Sequence, residues 1–172
     1  MAEERGVLDL PIRHAPRGLA ALKAQQESSS DEAQCPAFGY VRGLEKKAIS
    51  VEFRFRDGNS DWFAYSLLGA WRFNPSVGLL LKFSGGDVLS YVLIHGSNLD
   101  AVLPEKEINL TDRGFQRQRI TFVREMEEVE LQKAGEGEPT IDRIEVVEFE
   151  SILAADNWLK QNAPVFLRGK RE

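Results

Sequence analysis

The sequence holds one cysteine, Cys35, and two histidines, His14 and His95. A lone cysteine closes no internal disulfide and has no companion at metal-ligand spacing. His-Glu-x-x-His and paired Cys-x-x-Cys motifs are absent, and the acidic stretch of residues 125–130 lacks the glycine of a calcium loop. Nucleophilic catalysis needs a base held within hydrogen-bond reach of its nucleophile. No Gly-x-Ser-x-Gly accompanies His95, which reads instead as a strand-end histidine. Ser84-Gly85-Gly86-Asp87 lacks the Gly-Lys-Ser/Thr ending of a phosphate loop and reads as a hairpin turn. The expectation is no catalytic residue, no metal and no cofactor.

Long apolar runs are missing too. The run at residues 77–81 is broken by Gly78 and followed by Lys82, whereas a membrane span needs about 20 apolar residues. The opening Met1-Ala2-Glu3-Glu4-Arg5 carries acids where a signal peptide would be basic. With the single cysteine, this gives the expectation of a cytoplasmic protein with no membrane partner. The chain of 172 residues has net charge −5, but the acidity is local. Residues 127–150 carry nine acids against Lys133 and Arg143, while residues 48–126 carry nine charges of each sign. The central part is therefore balanced, and the acidity belongs to the segment after it.

What is present is strand texture. Ile49, Val51, Phe53 and Phe55 alternate with Ser50, Glu52, Arg54 and Arg56, the period of a half-buried strand. Asp57-Gly58-Asn59-Ser60 is turn chemistry, and an aromatic run from Trp62 to Leu68 then supplies a pairing strand. Trp71 and Phe73 lead to a turn at Asn74-Pro75-Ser76. Leu79, Leu81 and Phe83 form the next strand, the Gly85-Gly86 turn follows, and residues 88–95 make another.

Residues 97–103 fit either a capped helical turn or a short strand, and residues 125–132 are equally ambiguous. Residues 119–123 read as a strand with Ile120 and Phe122 on one side and Thr121 and Val123 on the other. Residues 141–149 are strand-like. Ser151 caps a helix expected over residues 152–161, with Ile152, Ala155, Trp158 and Leu159 as its apolar stripe.

The expected organisation is a largely disordered arm at residues 1–45, a small β-barrel at 46–126, and an acidic strand with a C-terminal helix at 127–172. The helix packs on the barrel. Within the arm, Val7-Leu8-Asp9-Leu10-Pro11-Ile12 is the most apolar piece. The class is mainly β (α+β overall), with antiparallel strands spaced by turns about every ten residues.

Tyr91-Val92-Leu93-Ile94-His95-Gly96-Ser97-Asn98-Leu99 resembles the second motif of the Sm-like proteins, an apolar strand ending in Ile-Arg-Gly before Asn and an aliphatic residue. The resemblance implies a small Sm-like or SH3-like barrel, with His95, Gly96 and Asn98 at an RNA-binding corner and flanking strands that pair between subunits. Three features depart from the family's pattern. His95 stands for the arginine, Asn74-Pro75 replaces the first-motif Asp and Asn pattern, and an insertion-like stretch occupies residues 104–118.

Two function classes follow. The first is a non-enzymatic interaction module that forms a homo-oligomer or docks a protein partner. The second is an RNA-binding protein. Single-stranded RNA is held by stacking aromatics beside positive charge, and Arg113-Gly114-Phe115-Gln116-Arg117-Gln118-Arg119 offers three arginines and one aromatic. Its residues would be Arg72, His95, Gly96, Asn98, Arg117 and Arg119.

Overall fold

Successive side chains on a strand point to opposite faces, and this alternation sets the architecture. Val51 and Phe53 are wholly buried, while Glu52 between them turns to the other face. The computed structural model describes residues 32–167, and every element named below belongs to one compact unit that begins at Glu32. The strands are β1 (Glu32–Gln34), β2 (Phe38–Val41), β3 (Ser50–Arg54), β4 (Ser60–Ala64), β5 (Leu68–Asn74), β6 (Gly78–Gly85), β7 (Val88–Ser97), β8 (Ile120–Arg124) and β9 (Thr140–Phe149). Among the described residues two α-helices, α1 (Glu128–Lys133) and α2 (Ile152–Asn162), accompany the strands. No helix among the described residues is long and apolar enough to cross a membrane.

The fold is mainly β, as expected, but neither sheet closes into a barrel. Sheet A has the order β1-β2-β8-β3-β4, and sheet B the order β5-β6-β7-β9. Closure fails because the expected strand at residues 62–68 is interrupted. A 3-10 turn at Tyr65–Leu67 ends β4 and delivers the chain to sheet B as β5. Tyr65 anchors that turn: its N–H donates to Ile49 O at 2.9 Å and its hydroxyl to Ile120 O at 2.9 Å. The chain returns to sheet A with β8, which lies antiparallel to β2 but parallel to β3.

The main core fills the space between the sheets. Sheet A contributes Phe38, Val51, Phe53, Ile120 and Val123, and sheet B contributes Leu79, Leu81, Phe83, Val92, Ile94 and Ile144. Phe63 packs between them, tilted against Phe83 at 4.6 Å and edge-on to Phe53 at 5.8 Å, ring centre to centre. Each such Leu or Phe buried contributes roughly 1.5–3 kcal/mol.

The three leucines Leu79-Leu80-Leu81 are all buried because sheet B is covered on both faces. Leu80, Tyr91, Leu93 and Phe149 turn outward onto Ala155 and Leu159 of α2. Ser151 caps α2 as expected, its Oγ accepting from Ala154 N at 3.2 Å. Ile152, placed on the stripe by its spacing, is 71% exposed instead; it lies in the first turn of α2 and takes no part in this second core.

Part of the expected arm is built into the fold. Residues 1–31, with His14 and the apolar Val7–Ile12 piece, lie outside the described residues. Residues 32–41 supply β1 and β2, because Phe38 and Tyr40 are core residues. β9 is integral to sheet B and pairs with β7 along its length. Residues 98–103 are neither helix nor strand. With the expected insertion they form a buried plug, in which Leu99, Ile108, Leu110 and Phe115 are almost wholly inaccessible. A π-helical turn at Thr111–Phe115 shapes that plug. The other ambiguous stretch, residues 125–132, resolves in part into α1, whose Glu127 and Glu130 form a capping box.

Candidate functional site

The two outer faces differ. α2 packs on sheet B, whereas α1 reaches the outer face of sheet A at one corner, through Glu130. Strand register sets the residues in one row across this face. Gln34 opposes Gly39, Gly39 opposes Phe122, Phe122 lies beside Glu52, and Glu52 opposes Trp62. The row therefore draws on five strands whose sequence positions span residues 34 to 122.

Each member has a physical reason to be where it is. The Phe122 ring leans over Gly39, where a Cβ would stand 2.3 Å from the ring, so a side chain there would displace it. The Arg54 guanidinium lies 3.9 Å from the centre of the Phe122 ring. Its Nε donates to Glu52 Oε2 at 2.7 Å. Glu52 is only 9% exposed, and this charge-assisted bond lets its carboxylate tolerate burial. Trp62 is 64% exposed, since its neighbour Phe63 takes the inward position.

In the next row Arg54 lies beside Arg124, whose guanidinium donates to both oxygens of Glu130 at 3.0 and 2.5 Å. That contact holds the Glu130 carboxyl below its ordinary range. The Phe122–Arg54 stack divides the face into two adjoining hollows, of about 540 Å³ towards Trp62 and Ile49 and about 400 Å³ towards Arg124 and Cys35.

The six residues expected at an RNA surface do not gather there. Arg72 is on β5, and its guanidinium donates to the carbonyl of Phe166 beyond α2. His95 is on the outer face of β7, with Nε2 2.8 Å from Glu145 Oε1. That carboxylate also meets Arg143 at 2.7 Å. Gly96 sits at a bulge against β9, where a Cβ would fall 1.9 Å from Thr140 O, so glycine is demanded by packing. Asn98 follows in a left-handed conformation and donates to Glu138 O at 3.1 Å.

Arg117 is exposed in the turn before β8, whereas Arg119 is 4% exposed and donates to Val41 O at 3.2 Å. Arg72, His95, Gly96 and Asn98 thus belong to sheet B and its end, and Arg117 and Arg119 to sheet A.

Phe122, Glu52, Trp62 and Gly39 are the residues that sequence reasoning missed. Trp62 had a usable signal, because Trp62 and Phe63 cannot both point inward on one strand. Burial pushes the Cys35 thiol up, which holds it in the un-ionised form. Among the described residues no three His, Cys, Asp or Glu side chains gather as a metal site. Compared with protein-family models, with curated proteins and with solved structures, the chain finds no match in any of the three.

Proposed function

We propose that this chain is a non-enzymatic interaction module that self-associates through the outer face of sheet A. One observation carries the reading: Trp62 and Ile49, at 64% and 88% exposure, line one open hollow of this face. Exposed aromatic and aliphatic side chains in a hollow are typical of interaction surfaces. The charges around them are balanced, with Glu32, Glu52 and Glu130 against Lys47, Arg54 and Arg124. A two-fold dimer apposes a patch to its own copy, and a patch carrying both signs is complementary to itself.

The Sm-like reading rests on Ile94-His95-Gly96 and would pair that strand with a neighbouring subunit. Here β7 lies between β6 and β9, so its edges are already occupied. This favours assembly through a face over assembly through that strand.

Light scattering tests the reading. The full chain at concentrations up to about 100 µM is expected to show twice the chain mass, a micromolar affinity or better. A variant carrying Ile49→Ser and Trp62→Ser, both at exposed positions, is expected to remain a folded monomer. A monomeric parent chain at every concentration overturns the proposal. Salt-sensitive retention of single-stranded RNA, weakened by Arg117→Ala, would move the assignment to RNA binding.

A further inference from the structure

A further cavity of about 290 Å³ opens where the β1–β2 connection, the segment holding Leu103 and Lys106, α1 and the loop before β9 approach one another. Its walls include Cys35, Leu103, Met126 and Pro139, and Met126 is buried. That volume lies at the small end of ligand-binding pockets.

Four charged side chains line it: Lys106, Lys133, Glu130 and Glu138. Both carboxylates are engaged within the chain. Glu130 is gripped by Arg124 and accepts from Glu127 N at 2.9 Å, and Glu138 Oε2 accepts from Gly135 N at 3.0 Å. The lysines are less committed. Lys106 makes one long bond, 3.3 Å, to Gln34 O, and Lys133 is exposed in the last turn of α1. An ammonium carries three donors, so the mouth offers several N–H groups to an acceptor. With Glu130 matched by Arg124, the balance favours an anion.

We propose that this cavity binds a small amphipathic carboxylate, its apolar chain against Leu103, Met126 and Pro139 and its head group met by Lys106 and Lys133. A cavity of this size suits a short ligand, with a chain of about eight carbons. This goes beyond the self-association reading; the cavity adjoins the smaller hollow of that face, with which it shares Cys35, Pro36 and Glu130.

Cys35 makes the test specific. It is the chain's one cysteine and it lines the cavity, so at mildly alkaline pH, where part of the raised thiol is ionised, the rate at which a soluble maleimide labels it reports on occupancy. The probes are octanoate, octanol and octylamine, each on the full chain. Octanoate at ten times its Kd is expected to slow labelling about tenfold, with octanol and octylamine slowing it less than twofold. The Lys106→Gln/Lys133→Gln variant is expected to melt like the parent chain and to lose the protection by octanoate. Equal protection by octanol and octanoate overturns the proposal. So does full protection of the double variant, or no protection by octanoate at millimolar concentration.

Discussion

The Glu125 carboxylate accepts the backbone N–H of Ile144 at 2.8 Å, which ties the end of sheet A to the outer edge of β9 in sheet B. Its second oxygen accepts Arg56 N at 2.9 Å, and the Arg56 guanidinium bonds the carbonyls of Met126 and Asp142 at 2.9 and 2.6 Å. An edge strand presents unpaired N–H groups that invite association with other chains. Glu125 satisfies one of these and fixes how the sheets meet. Glu125→Ala removes both acceptors and is expected to cost about 1–3 kcal/mol of unfolding free energy in a denaturant titration. Glu125→Gln keeps one acceptor and should lose less. An unchanged midpoint for the alanine variant would show that the clamp adds nothing.

Tyr65 governs the alkaline limit. Its hydroxyl is buried and donates to Ile120 O, and burial pushes the phenol well above its ordinary value. Tyr40 and Tyr91 are also raised by burial. Each folded phenol therefore keeps its proton at pH values where an unfolded tyrosine, ionising near about 10, has released it. The stability linked to these protons is complete below that pH and falls as pH rises above it. The phenolate absorbance at alkaline pH is expected to appear together with the loss of folded structure. Phenolate appearing in a fully folded chain would refute this. Tyr65→Phe is expected to cost about 1 kcal/mol at neutral pH and to shallow the alkaline decline.

Local structure was legible in this sequence where neighbours along the chain decide it. The alternation at Val51 and Phe53, the turns at Asp57–Ser60 and Asn74–Ser76, and the Ser151 cap depend on residues a few positions apart. The sheet partners do not. β8 enters between β2 and β3 from a position some 70 residues further along the chain, and nothing within β3 encodes that. The side-chain order of β8 also departs from simple alternation. Ile120 and Val123 are buried while Phe122 faces out, because the pairing with β2 shifts register between Gly39 and Tyr40. That shift is why Phe122, expected beside Ile120, stands on the open face. Gly96 shows the same limit from the other side. Its sequence context resembles a ligand corner, while its contacts explain the glycine by the approach of the Thr140 backbone.

The Arg54–Phe122 contact gives the open face a measurable internal coupling. Arg54→Ala withdraws the guanidinium from the buried Glu52 carboxylate as well as from the ring, so the single change is expected to cost about 1–3 kcal/mol. Phe122→Ala removes the ring alone. A double-mutant cycle isolates the stacking, and at this partly exposed position the coupling is expected at about 0.5–1 kcal/mol. Gly39→Ala supplies an independent check, because its Cβ displaces the Phe122 ring without touching either charge. In that background the coupling should shrink, while the Glu52–Arg54 pair still resists removal of its arginine. If the two alanine substitutions add to within about 0.3 kcal/mol in the parent chain, the guanidinium does not rest on the ring, and Glu52 alone positions it.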